Sequence, residues 1–175
     1  LHKKGGKSDF GAKKRLDLSV AVIVCSDSVS AGKKEDRAGK VITDKITNLG
    51  LKVSHYAIIP DEIKDIQTTI NQLCEDQKEL IILSGGTGLS NRDVTPEAII
   101  PLLDRRIPGI EEAIRSYGQQ RTPYAMLSRS VVGFKGNTLI MALPGSTAGA
   151  SESIDAVFPS VLHLFQLLNG FNHGQ

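Results

Sequence analysis

Four short segments of this 175-residue chain carry the residue types that hold phosphates and divalent cations. They are Ser26-Asp27-Ser28, Pro60-Asp61-Glu62, Ser84-Gly85-Gly86-Thr87-Gly88 leading to Asn91-Arg92-Asp93, and Pro144-Gly145-Ser146. The glycine segment is the strongest. Glycine admits positive φ and lets a ligand come close to the main chain. Successive amides then line a concave anion site, and Thr87 adds a hydroxyl donor. The pattern is neither Gly-x-x-x-x-Gly-Lys-Ser/Thr, since Gly6-Lys7-Ser8 has Leu1 where the first glycine belongs, nor Gly-x-Gly-x-x-Gly. Taken alone, such a cluster reads as a tight turn. Its place between an apolar strand and a carboxylate-bearing loop points to a ligand.

Asp61 and Asp93 are the candidate metal-binding residues. Carboxylates beside phosphates commonly hold Mg2+, which takes one or two of them together with phosphate oxygens and water. Asp61 also stands where it would cap a helix, and Asp93 where it would bond the amides around Thr95, so each has two readings. Asp27 is similar, Asp36 reads as a cap, and Glu62 as solvent-facing. Arg92 has the fork for a bidentate phosphate contact, or is an exposed loop arginine. Ser128 and Arg129 are within reach of a polar ligand, or are ordinary surface residues. The four histidines are scattered, without metal spacing or a neighbouring nucleophile. Cys25 and Cys74 lack Cys-x-x-Cys spacing, which argues against zinc.

These segments need a frame that gathers them. Residues 18–25 are a near-continuous apolar run that suits a strand buried on both faces of a parallel sheet, 51–59 reads as a second strand ended by Pro60, and 79–84 as a third, short and apolar. Between them, 36–49 reads as a helix stopped by Gly50. A second helix opens at Asp61, with Ile63, Ile66, Ile70 and Leu73 at helical spacing. The segment 26–35 reads as loop. Thr95-Pro96 looks like an N-cap followed by proline at the first helical position, with the helix running to Asp104; Pro108 starts another, to Tyr117. Residues 130–134 and 138–143 flank Lys135-Gly136-Asn137, a hairpin turn. A last helix spans 147–168, bent or broken at Pro159. The expectation is one α/β domain over 17–175, with a mainly parallel sheet and a small hairpin. In such sheets ligands bind at the carboxyl ends of the strands, where all four segments fall.

Composition narrows the function classes. Hydrophobic residues make up 40% and charged residues 23%, as in globular domains. No run is long enough for a membrane span, no secretory leader is visible, and two free thiols suit a reducing cytoplasm. Of 21 basic and 19 acidic residues, six basic ones and only Asp9 lie in the first fifteen positions, so the remainder has 15 basic against 18 acidic groups. A body of that charge, with three Tyr and five Phe, is not a nucleic-acid surface. Residues 1–16 read as a mobile basic tail or linker, and the start at Leu rather than Met leads us to expect a processed chain or a fragment.

Leu83-Ser-Gly-Gly-Thr-Gly88 followed by Asn91-Arg-Asp-Val-Thr-Pro-Glu97 resembles the signature of the molybdopterin-binding family, which includes bacterial MogA and MoaB and the G domain of gephyrin. Ser26-Asp27-Ser28, Asp36-Arg37-Ala38-Gly39, Pro60-Asp61-Glu62, Pro108-Gly109, Met126-Leu-Ser-Arg129 and Leu143-Pro-Gly145 match in the same order, over about residues 18–168. The resemblance implies a three-layer fold, usually a homotrimer. It implies Mg2+-dependent transfer of AMP from ATP to the terminal phosphate of molybdopterin, with release of pyrophosphate. The family's two catalytic aspartates match Asp61 and Asp93, its glycine loop residues 85–88, and its pterin-side serine Ser128. The adenylyltransferase branch often has serine where Gly118 stands, and a different run where Ser146-Thr147-Ala148-Gly149 follows. A non-catalytic molybdopterin carrier or scaffold is the alternative. Leu1-His-Lys-Lys-Gly-Gly-Lys-Ser-Asp-Phe10 is similar to the carboxyl-terminal end of cyclic pyranopterin monophosphate synthase, which implies a fusion with another enzyme of the same pathway.

Overall fold

The structure is a computed structural model and describes residues 17–169; the tail 1–16 lies outside them. Strand β1 (Ser19–Cys25) leads to helices α1 (Asp27–Ser30) and α2 (Ala38–Asn48). Then come β2 (Lys52–Ile59), α3 (Ile63–Glu75), β3 (Leu80–Ser84), α4 (Thr95–Ile99), β4 (Arg105–Arg106) and α5 (Pro108–Gln119). The chain finishes with β5 (Val131–Lys135), β6 (Thr138–Leu143), α6 (Thr147–Val157) and α7 (His163–Leu168). The six strands form one sheet in the order β2-β1-β3-β6-β5-β4. Strands β2, β1, β3 and β6 are parallel, and β5 runs antiparallel to both β6 and β4.

The apolar runs are continuous because β1, β3 and β6 bury both faces. On one face Val20, Val22, Leu80, Ile82, Leu139 and Met141 meet Ile42 and Ile46 of α2, Ile114 of α5, Ile154 of α6 and Phe165 of α7. On the other, Ala21, Ile23, Ile81, Leu83 and Ile140 meet Ile66, Ile70 and Leu73 of α3 with Ala98 and Ile99 of α4. Burying each large side chain of this kind contributes about 1.5–3 kcal/mol. The result is the expected three-layer α/β/α domain. Among the described residues no helix is long and apolar enough to cross a membrane. Cys25 is a buried free thiol and Cys74 a half-buried one.

Several local expectations are corrected. The segment read as loop after β1 contains α1, capped by Ser26, whose hydroxyl accepts from the Val29 amide at 3.3 Å. Asp61 does not cap α3: Glu62 holds the cap position without a side-chain bond, and the Asp61 carboxylate turns to the Asp27 amide instead. Thr95 is the first residue of α4, not its cap; its hydroxyl donates to the Gly85 carbonyl. That helix ends at Ile99 and passes through a 3-10 turn, Ile100–Leu102, into the two-residue edge strand β4. Strand β4 carries no hydrophobic alternation because only its pairing with β5 defines it. Pro159 does interrupt the last helix, between α6 and α7.

Candidate functional site

The ends of β1, β3 and β6 form the base of the site. The Gly85 amide donates to the Leu143 carbonyl at 3.0 Å, which ties the start of the glycine loop to the end of β6. Gly85 has φ +109° and Gly86 φ +68°, in the left-handed region where glycine alone is unstrained. A Cβ on Gly85 would lie 2.1 Å from the Cys25 carbonyl oxygen, and one on Gly86 would lie 2.2 Å from the Thr95 hydroxyl. The loop is held from below by Thr95, whose amide donates to the Gly86 carbonyl at 3.1 Å and whose hydroxyl donates to Gly85 at 2.8 Å. With its carbonyls engaged beneath, the loop leaves the amides of Gly86, Thr87 and Gly88 without an acceptor among the described residues. Such an array has the form of an anion-binding nest.

Arg129 secures the loop from the side. Its amide donates to the Thr87 carbonyl at 2.8 Å, its Nε to the Gly88 carbonyl at 2.8 Å and its Nη2 to the Asp93 carbonyl at 2.7 Å. Its Nη1 pairs with Glu97, and this contact holds the Glu97 carboxyl below its usual range. The sequence places Arg129 within reach of a ligand; in the structure its guanidinium braces the loop instead. Arg92 is likewise engaged within the protein. Its Nε and Nη2 donate to the two carboxylate oxygens of Asp27 at 2.8 and 3.1 Å, and Nη2 also donates to Glu62 at 2.7 Å.

The acidic residues converge at the same edge. Asp61 and Asp27 are joined twice: the Asp27 amide donates to Asp61 Oδ2 at 2.9 Å, and the Asp61 amide donates to Asp27 Oδ1 at 3.0 Å. The other oxygen, Asp61 Oδ1, is buried and has no hydrogen-bond partner among the described residues. Burial pushes the Asp61 carboxyl above its usual range, and the charges of Asp27 and Asp93 push the same way against the Asp27 amide bond. The hydrogen bond from Arg92 holds Asp27 low. Asp93 accepts from the Ser90 amide at 2.9 Å. Its Oδ2 would be 2.8 Å from a Cβ on Gly88, so that glycine leaves it room. Beneath, burial pushes the Cys25 thiol up to about 12.

An orphaned, buried carboxylate oxygen suits a cation. Among the described residues no three His, Cys, Asp or Glu side chains are grouped to hold a metal by themselves. That donor set fits Mg2+, which completes its shell with phosphate oxygens and water.

Beside the loop lies a cavity of about 220 Å3 between α5, the 3-10 turn Pro123–Leu127 and the start of α6, lined by Ser128, Pro144 and Ser146 among others. Ser146 caps α6, accepting from the Gly149 amide at 3.1 Å, and Gly145 packs on Gly85. Ser26 and Ser28 have hydroxyls 3.2 Å apart at the end of β1. Sequence reasoning missed Arg115, which donates to the Ser128 and Ser130 carbonyls at 3.3 and 3.1 Å. It also missed the Arg121–Glu152 ion pair in the cavity wall. No local pattern announces these contacts, since each depends on packing between elements. Gly118, at the position of an expected serine, has a physical reason: a Cβ there would lie 2.9 Å from that of Ala125.

Residues 21–163 match the family described as "Probable molybdopterin binding domain". The chain is 37% identical over 172 residues, 98% of its length, to a molybdenum cofactor biosynthesis bifunctional protein of Chlorobaculum tepidum; it spans about half of that relative, 54%. It is 33% identical over 156 residues to the molybdopterin adenylyltransferase of Helicobacter pylori strain J99, covering 87% of this chain and 89% of that protein. The crystal structure of the molybdopterin biosynthesis enzyme MoaB from Thermus thermophilus aligns with a TM-score of 0.82 at 39% identity, over 87% of this chain and 97% of that one.

Proposed function

Since this chain belongs to the molybdopterin-binding family of molybdenum cofactor biosynthesis, we propose that it is a molybdopterin adenylyltransferase, moving AMP from ATP to the terminal phosphate of molybdopterin. The observation that carries this reading is the pairing of open loop amides with the unpartnered Asp61 oxygen at one sheet edge. The adenylyltransferase relative, similar over most of both chains, supports it.

In this reading the amides of Gly86, Thr87 and Gly88 hold the pterin phosphate. One of its oxygens attacks the α-phosphorus of ATP, the bond to the bridging oxygen breaks, and pyrophosphate leaves with the electron pair. No side-chain nucleophile is required, which agrees with histidines and cysteines scattered along the sequence. Asp61 and Asp93 hold Mg2+, whose charge, when bound, offsets that of the triphosphate. Catalysis is then positioning and charge neutralisation. Ser26 and Ser28 border the nucleotide, and Ser128, Pro144, Gly145 and Ser146 border the pterin in the adjoining cavity. The reading includes a homotrimer, which sedimentation would check, and a link from segment 1–16 to another enzyme of the pathway. The alignment to the bifunctional relative over 98% of the chain supports that link.

The test is incubation of the chain with molybdopterin and Mg-ATP, measuring adenylylated product and pyrophosphate. Product from wild type that is lost in D61A and D93A is the expected result. Tight pterin binding with no product would replace the reading by that of a carrier.

A further inference from the structure

By residue type Asp27 is a candidate ligand contact. We infer that it is instead a positioning residue for Asp61, set in place by Arg92, and that this Arg92–Asp27–Asp61 chain fixes which oxygen of Asp61 faces the cation. The inference rests on the proposed cation site and deepens it.

The geometry is specific. Asp27 and Asp61 exchange amide-to-carboxylate hydrogen bonds at 2.9 and 3.0 Å, closing a ring between the end of β1 and the loop before α3. The ring occupies Asp61 Oδ2 and leaves only Oδ1 free, buried and unpartnered. That oxygen would be 3.2 Å from a Cβ on Gly86, so it lies against the anion loop. Asp27 stands in the single turn of α1, and within the ring its carboxylate is held only through Oδ1, by the Asp61 amide. Arg92 supplies the direction, holding both oxygens of Asp27 at 2.8 and 3.1 Å while its Nη2 reaches Glu62 at 2.7 Å. Glu62 follows Asp61 in the chain, so the guanidinium pins both sides of the ring. A bidentate arginine fork fixes orientation where a lysine point charge does not.

Charge and geometry make opposite predictions for one substitution. Removing the Arg92 charge makes the site more negative, so if Asp27 acts as a ligand or as bulk charge, divalent cations bind as tightly or more tightly. If Arg92 acts through Asp27 to orient Asp61, they bind more weakly. The test is Mn2+ binding to the full chain, followed by electron paramagnetic resonance with and without a non-hydrolysable ATP analogue, in wild type, R92Q, R92K and D27N. Thermal unfolding verifies folding; the Arg92 side chain is 56% exposed, so its replacement opens no cavity in the core. We expect about tenfold weaker Mn2+ binding in R92Q and D27N, partial recovery in R92K, and reduced kcat with KM for molybdopterin little changed. Unchanged or tighter binding in R92Q overturns the inference while leaving the cation site standing. Absence of Mn2+ binding by wild type overturns the cation site and the inference with it.

Discussion

The hydroxyl of Thr95 lies 2.8 Å from the carbonyl oxygen of Gly85, and neither residue is exposed to water. The first residue of α4 thereby supports the glycine loop from beneath. Thr95→Val keeps the volume and removes the donor, leaving a buried carbonyl with one partner fewer. Loss of such a bond costs about 1–3 kcal/mol, to be read from urea unfolding, and KM for molybdopterin should rise because the loop amides lose their support.

Glycines of positive φ in this chain differ in what surrounds them, and substitution should separate them. Gly86→Ala meets the Thr95 hydroxyl at 2.2 Å with φ +68°. Strain of about 1–3 kcal/mol is expected, with turnover reduced by more than about 100-fold, as when a preorganised oxyanion donor is lost. Gly32→Ala has φ +71° and nothing within 4 Å of the new Cβ, so it should lose about 1 kcal/mol and keep its activity. Comparable activities of the two variants in a product assay would refute the role given to the loop.

Asp61→Asn should separate stability from activity. Burial raises the folded-state pKa of Asp61 above its unfolded value. Its ionised form therefore disfavours folding at neutral pH, and that penalty fades as pH falls through the raised value and the group protonates in the fold. D61N should melt at the same or a higher temperature than wild type near pH 7, with the difference vanishing in acid, while product formation is abolished. A neutral-pH melting point clearly below wild type would contradict this account.

Glu97 has the opposite sign. Its bond to Arg129 holds the folded pKa below the ordinary 4.5. The stabilisation is present above that ordinary value and is lost as pH falls from there through the lower folded value. Glu97→Gln should melt lower than wild type at neutral pH and show a flatter decline in acid, measured by thermal scans across pH.

The sheet was legible because its central strands are buried on both faces, and the apolar runs at 18–25, 79–84 and 138–143 record that burial directly. Helix α3 was legible from Ile66, Ile70 and Leu73, which recur at helical spacing and fill one core. The four loops at the carboxyl ends of the strands follow from a parallel sheet. What escaped is long-range and polar. Arg129 bonds Gly88 from 41 residues away, and Asp27 bonds Asp61 from 34; no periodicity records such pairs. Asp61 was ambiguous between cap and ligand because both readings need the same residue type before the same helix. Only the direction of its carboxylate, toward Asp27 and away from α3, separates them.

The bond from the Gly85 amide to the Leu143 carbonyl has a consequence for biosynthesis. The glycine loop emerges from the ribosome well before β6, yet its shape depends on β6 being paired with β3 and on Arg129 having arrived from the segment that leads into β5. Contacts of such sequence separation are slow to form, because loop closure costs entropy before the contact is made. A nascent chain therefore carries every residue of the loop before the bonds that shape it can form. A chain cut before β6 would keep the whole glycine loop and lack the bond from Gly85 that anchors it.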